Sequence, residues 1–313
     1  MLDQPLKSVL NGYMDLSTHV GPLSFKNPIL LASGTWGFGE GLDSYLDLSG
    51  LGGLVTKGLS LEPRAGNPPP RLAETPCGLI NAIGLENPGL ETFRQEFLPR
   101  LEAYGVPILV NIFGESLEDY LRVAEGLREE KISALEVNIS CPNVEKGGLQ
   151  FGQDPGSVKR LVEELVRLSP FPVVVKLSPV GPVREVAEAA LSAGASALTV
   201  ANTYPALAVD VFQRRPVLSR GTGGLSGPAI KPLTLRLVHE LYRLFQAPII
   251  GCGGIVSASD VVEYLLCGAA AVQVGTATLL DPEAPGKILS DLPSFLVALG
   301  VQNLKELIGT LRT

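Results

Sequence analysis

A chain of 313 residues is long enough for one large α/β domain or two ordinary ones, and its 45% hydrophobic and 18% charged content, with mean hydropathy +0.27, excludes a disordered protein. The 25 Lys and Arg against 32 Asp and Glu leave a net charge of −7, and no basic run could neutralise successive phosphates, which argues against nucleic acid as a partner. The opening MLDQPLKSVLNGYMD is too polar for a signal segment and no long uninterrupted apolar window follows, so the expectation is a cytoplasmic protein with no membrane anchor.

Residues 1–14 are expected to form an N-terminal extension and 15–313 a single domain. DLSTHVGPLSFK (15–26) alternates around a Gly-Pro turn and predicts a hairpin that caps the bottom of the fold. Short apolar, β-branched runs then recur: PILLAS (28–33), GLVTK (53–57), PILVNIF (107–113), ALEVNIS (134–140), PVVVKLS (172–178), ALTVAN (197–202), PIIGC (248–252) and AVQVG (271–275). Between them 117–130, 156–168, 183–194, 230–245 and 257–268 carry helical spacing. Near-continuous apolar strands alternating with amphipathic helices predict a parallel sheet buried on both faces, and eight units predict a closed (β/α)8 TIM barrel; an open doubly wound sheet is the alternative. The long connections 58–87, 141–154 and 203–227 all leave the same strand ends, where barrel enzymes assemble their sites, and 141–154 is expected to form an active-site flap.

Polar residues gather at those ends: Ser33, Lys57, Asn111, Asn138, Cys141, Lys176, Asn202 and Thr203, with the glycine-rich GCGGI (251–255) and VGTA (274–277) after the last two strands. Glycines let backbone N–H groups approach an anion, and a helix beginning at Ser257 would aim its positive end at the same place, so these loops read as a phosphate site; taken singly, a glycine pair is only a turn. Lys57 alone reads as a solvated strand-end lysine. Lys176 closes a strand expected to be buried, where an unpaired ammonium is costly; it suits either a cofactor's anionic edge or a Schiff-base lysine. Cys141 begins a glycine-rich loop, where a thiol can take up a proton, while Cys77, Cys252 and Cys267 read as packing residues. The cysteines form no CxxC pair and His19 and His239 stand apart, so no metal site or iron–sulfur cluster is expected and the thiols are expected free.

The segments GNPPPR (66–71), NAIGLENPG (81–89), NISCPNVEKGGLQFGQDP (138–155), VKLSP (175–179), GGLSGPAIKP (223–232) and GCGGI resemble, in order along the chain, the class 1 dihydroorotate dehydrogenases. The resemblance implies an FMN enzyme of pyrimidine biosynthesis that oxidises dihydroorotate to orotate. Cys141 would be the base that removes the C5 proton while hydride passes from C6 to N5 of the flavin; a cysteine here points to the soluble class. Carried over by motif, Ser33, Lys57, Gly58, Asn111, Asn138, Lys176, Val200, Gly227, Gly253, Gly254, Gly275 and Thr276 would contact FMN. Lys57, Asn81, Ala82, Ile83, Gly84, Leu85, Asn138, Asn202 and Thr203 would hold the substrate, with Asn143 closing on it from the flap. These residue types suit such a ligand, because a carboxylate wants a cation and the amide edges of the ring want groups that both donate and accept.

EKGGLQFGQDP and GGLSGPAIKP are most similar to the type 1B catalytic subunits. Such a resemblance implies a homodimer within a heterotetramer, whose partner subunit carries FAD and a [2Fe-2S] cluster and passes electrons to NAD. The alternatives are a type 1A-like enzyme using fumarate, a Schiff-base lyase acting through Lys176, and a flavin-binding subunit without activity.

Overall fold

The computed structural model describes residues 14–140 and 151–312. Cys141, Asn143 and most of the expected flap therefore lie outside the described residues, as does the expected extension apart from Met14. The eight predicted strands are all present as β3 (Ile29–Leu31), β4 (Gly53–Val55), β7 (Ile108–Ile112), β8 (Ala134–Asn138), β9 (Val173–Lys176), β10 (Ala197–Val200), β15 (Ile249–Cys252) and β16 (Ala271–Val274). They pair in parallel and in chain order, and β16 returns to β3 to close the barrel. The fold is thus the expected (β/α)8 TIM barrel.

The predicted helices appear as Leu117–Gly126, Pro155–Leu168, Val183–Ser192, Lys231–Phe245 and Ala258–Cys267. Their starts follow capping chemistry: Ser116 and Ser257 each accept from an aspartate N–H three residues on, and that aspartate bonds back. Two further helical stretches, 90–102 and Ala284–Ala298, complete the shell.

The expected hairpin is β1 (Thr18–Val20) paired with β2 (Leu23–Phe25). Its Val20, Leu23 and Phe25 are buried against Leu30, Val55, Leu109, Ala134, Val174, Ala197, Ile250 and Ala271, the bottom layer of the barrel interior. The hairpin is therefore the apolar plug of the closed end, and anything polar inside the barrel has to lie above it.

The long connections 58–87 and 203–227 are not plain loops. They supply β5 (Leu72–Thr75), β6 (Gly78–Asn81), β11 (Tyr204–Leu207) and β14 (Thr222–Ser226), which form a four-stranded antiparallel sheet in the order β11-β14-β6-β5. A two-residue pair, β12 (Val209–Asp210) with β13 (Arg215–Pro216), forms a separate ribbon between β11 and β14 in the chain. Asn81 pairs with Gly224, so this small sheet ties the loop after β4 to the loop after β10 at the open end of the barrel.

Candidate active site

Side chains alternate along a strand, so residues two beyond the bottom layer also face the barrel axis. Those positions are Ala32, Lys57, Asn111, Glu136, Lys176, Thr199, Cys252 and Gln273. One apolar layer is followed by a mostly polar one. Above it opens a cavity of about 1400 Å³ between the strand ends and the small sheet.

Ten of the twelve predicted cofactor residues line this cavity: Ser33, Lys57, Gly58, Asn138, Lys176, Gly227, Gly253, Gly254, Gly275 and Thr276. So do Asn81, Ala82, Ile83, Gly84, Leu85, Asn202 and Thr203 from the predicted substrate set. Asn111 and Val200 are buried and do not line the wall; the next residue, Ala201, does.

The polar layer is a network centred on Glu136, which is 0% exposed. One carboxylate oxygen accepts from Asn111 Nδ2 at 2.7 Å and lies 3.5 Å from Lys176 Nζ. The other accepts from Thr199 Oγ1 at 2.7 Å and Gln273 Nε2 at 2.5 Å. Lys176 Nζ also donates to Gln273 Oε1 at 3.4 Å. Burial opposes the charge on Lys176, but the Glu136 carboxylate outweighs it and raises the lysine above its ordinary value. A Schiff-base lysine needs the opposite shift.

Cys252, read from sequence as a packing residue, lies on the cavity wall. Burial pushes its thiol up, with Lys176 pulling the other way. Cys77 is exposed and Cys267 is buried.

At one end the glycine loops stand back to back. Gly254 has φ +69°, and a Cβ there would sit 2.8 Å from both the Gly227 carbonyl oxygen and Lys231 Cβ. Tyr264 holds the loop from behind by donating to the Gly253 carbonyl at 2.6 Å, and Thr276 Oγ1 donates to Ser226 Oγ at 2.8 Å. Just before the helix that begins after Ser257, the Val256 and Ser257 N–H groups both donate to Asp260 Oδ2 at 2.8 Å, which leaves them engaged within the chain. The Gly253–Gly254 and Gly275–Thr276 amides remain as the candidates to hold a phosphate. Lys231 bonds Asp260 at 2.6 Å and Glu263 at 2.9 Å behind this loop. Burial works against the Asp260 charge, but Lys231, the Val256 N–H and Ser257 hold its carboxyl below the ordinary value.

At the other end, Asn202 Nδ2 donates to Asn138 Oδ1 at 3.2 Å, and the Tyr120 hydroxyl fixes the Asn138 carbonyl at 2.8 Å. Lys57 lies 3.6 Å from Glu86, which Arg71 also engages at 2.9 Å. This end offers cations on the cavity wall, Lys57 and Arg220, and a set of amides.

A flavin fits these residues on two observations. Lys176, on the cavity wall, makes only long contacts of 3.4 and 3.5 Å to its protein acceptors and can donate more closely to a ligand. The glycine loops also have no room for side chains, since a Cβ on Gly227, Gly253 or Gly254 would meet protein atoms within 3.0 Å, so bare backbone lines that end of the cavity. Sequence reasoning missed Glu136, Thr199 and Gln273, although the two-residue period that marks the bottom layer also marks them.

Among the described residues no helix is long and apolar enough to cross a membrane. The family model described as dihydroorotate dehydrogenase matches residues 15–296. A protein of Geotalea uraniireducens named dihydroorotate dehydrogenase B (NAD(+)), catalytic subunit, is 49% identical over 96% of this chain and 100% of its own length. Proteins with the same name from Geotalea daltonii (48%; 95% of this chain, 98% of the relative) and Desulforudis audaxviator (49%; 93% and 95%) are similar to the same extent. With the family model covering most of the chain and these relatives matched almost end to end, the chain belongs to the dihydroorotate dehydrogenase family.

Proposed function

We propose that this chain is the catalytic subunit of an NAD-linked dihydroorotate dehydrogenase, oxidising dihydroorotate to orotate for pyrimidine synthesis with FMN as its cofactor. The observation that carries the reading is a single cavity that joins a glycine-lined end, a floor holding Lys176, and an amide-lined wall. Its volume of about 1400 Å³ exceeds the roughly 300–1,000 Å³ usual for one small ligand, which suits a cofactor and a substrate side by side.

In this assignment Gly227, Gly253, Gly254, Gly275 and Thr276 hold the phosphate, and Ser33, Gly58, Asn138 and Lys176 surround the flavin, with Asn111 directly behind Gly58. When bound, the flavin accepts the hydride that leaves C6 of dihydroorotate. Cys141 removes the C5 proton as base, and the electrons of that C–H bond become the new C5=C6 bond. Lys57, restrained by Glu86, meets the substrate carboxylate. Asn138 and Asn202, linked to each other, present donors and acceptors to the ring amides together with Asn81 and Thr203, while the backbone of 81–85 closes the wall and Asn143 covers it. Lys176 supplies a fixed positive charge at the floor, where negative charge collects on reduction.

The catalytic domain is assigned to 15–313 and the protein to the cytoplasm. Electrons leave to a partner subunit bearing FAD and a [2Fe-2S] cluster, in a heterotetramer built on a homodimer of this chain. The experiment is steady-state turnover of the FMN-loaded chain with dihydroorotate, offering a dye, fumarate or NAD in turn. The dye should be reduced by the chain alone and NAD only after the partner is added. Turnover with fumarate alone would assign the other acceptor.

A further inference from the structure

Glu136 has no part in the proposed chemistry, yet it is a fully buried carboxylate in the middle of β8. An ion in that position is strongly disfavoured unless every lone pair is occupied, and apolar packing would serve stability as well. The layer beneath shows the apolar solution in full, from Leu30 to Ala271. The charge appears only in the layer that floors the cavity.

A carboxylate can only accept, and this dictates how its neighbours point. Asn111 must turn its NH2 toward Glu136, so its oxygen faces elsewhere, and that is the buried oxygen without a partner. Gln273 must likewise give Nε2 to Glu136, which leaves its oxygen toward Lys176. The lysine is held by two acceptors at 3.5 and 3.4 Å, long contacts that leave it able to donate more closely to a ligand. We infer that Glu136 is the positioning residue of the cavity floor, pinning Lys176 as its donor and fixing the Asn111 amide just behind the wall at Gly58.

Without this carboxylate the burial that opposes the ammonium charge would be largely unopposed, and the lysine would hold its proton less tightly. The other ionisable group that acts on Lys176 among the described residues is the Cys252 thiol, whose own ionisation burial opposes. Glu136 thereby keeps the floor cationic over the range in which the enzyme works.

The test is made first on apoprotein, by the rate at which Lys176 reacts with an amine-selective reagent at about pH 8, read by peptide mapping. Lowering a lysine's pKa by one unit raises its free-amine fraction about tenfold, so Glu136→Gln should raise the rate by at least about tenfold, while Glu136→Asp, which keeps the charge, should stay much nearer wild type. The second readout is FMN affinity between about pH 6 and 9. It should be flat in wild type and should weaken with rising pH in Glu136→Gln, by up to about tenfold per unit. Unchanged lysine reactivity in Glu136→Gln overturns the inference, as does an FMN affinity with the wild-type pH dependence. If Glu136→Gln alone gives no folded protein, the double variant Glu136→Gln/Lys176→Met decides: recovery of folded protein supports coupling through Lys176, and failure to fold refutes it. Only the FMN readout rests on the proposed function. Lysine reactivity needs neither flavin nor dihydroorotate, so failure of the inference is distinguishable from failure of that reading.

Discussion

Replacing Lys176 by methionine leaves the Glu136 carboxylate buried without its cation. Breaking a buried pair in this way costs about 3–5 kcal/mol. Three hydrogen bonds to the carboxylate survive, from Asn111, Thr199 and Gln273, so the low end, about 3 kcal/mol, is expected. At roughly 2.1 cal/mol/K per residue over 313 residues, that lowers the melting temperature by about 5 °C. Adding Glu136→Gln to Lys176→Met removes the orphaned charge while keeping its shape, and most of the loss should return. Urea and thermal unfolding of the four apoproteins measure the cycle. If the double variant loses as much as the two single variants summed, the pair is not coupled and the network argument fails. The sign with pH follows from the raised lysine. Its contribution is complete below the unfolded value of about 10.5 and is lost as pH rises through the higher folded value, so the gap between wild type and Lys176→Met should close above that point.

Gly254→Ala would force a side chain into the left-handed region at about 1–2 kcal/mol and press it on the Gly227 carbonyl. FMN affinity, read by fluorescence quenching, should fall about tenfold or more. Asp260→Asn should destabilise the protein near neutral pH. Because the Asp260 carboxyl lies below its ordinary value of 3.8, its contribution is present above that pH and is lost as pH falls through the folded value; unfolding curves at stepped acid pH should show the deficit shrinking. Cys141→Ser should lower turnover strongly while FMN remains bound, with partial recovery at higher pH; unchanged turnover would remove Cys141 from the mechanism.

The barrel was legible because each of its strands is a short apolar run followed by helical spacing, and the plug because THVGPLSF alternates around a turn. The small sheet was not. Its strands are short and lie in or beside Pro- and Gly-rich stretches, LAET between GNPPPR and PCG, and TGGLS itself, and Asn81 meets Gly224 across 143 positions of chain, a pairing no local pattern announces. Most of the site followed from strand-end polarity together with family motifs. Glu136 escaped because it sits inside ALEVN, a run that reads as hydrophobic unless the two-residue period is followed strand by strand. Cys252 was misjudged for a related reason: its parity, shared with Ile250, turns it toward the axis rather than the helical shell.

The central claim is that this cavity brings a flavin and dihydroorotate into reacting contact. The most direct measurement is the visible spectrum of the FMN-loaded chain, followed under anaerobic conditions as dihydroorotate is added. The account predicts bleaching of the flavin band with one orotate formed per flavin. A flavin that binds tightly yet stays oxidised would contradict it.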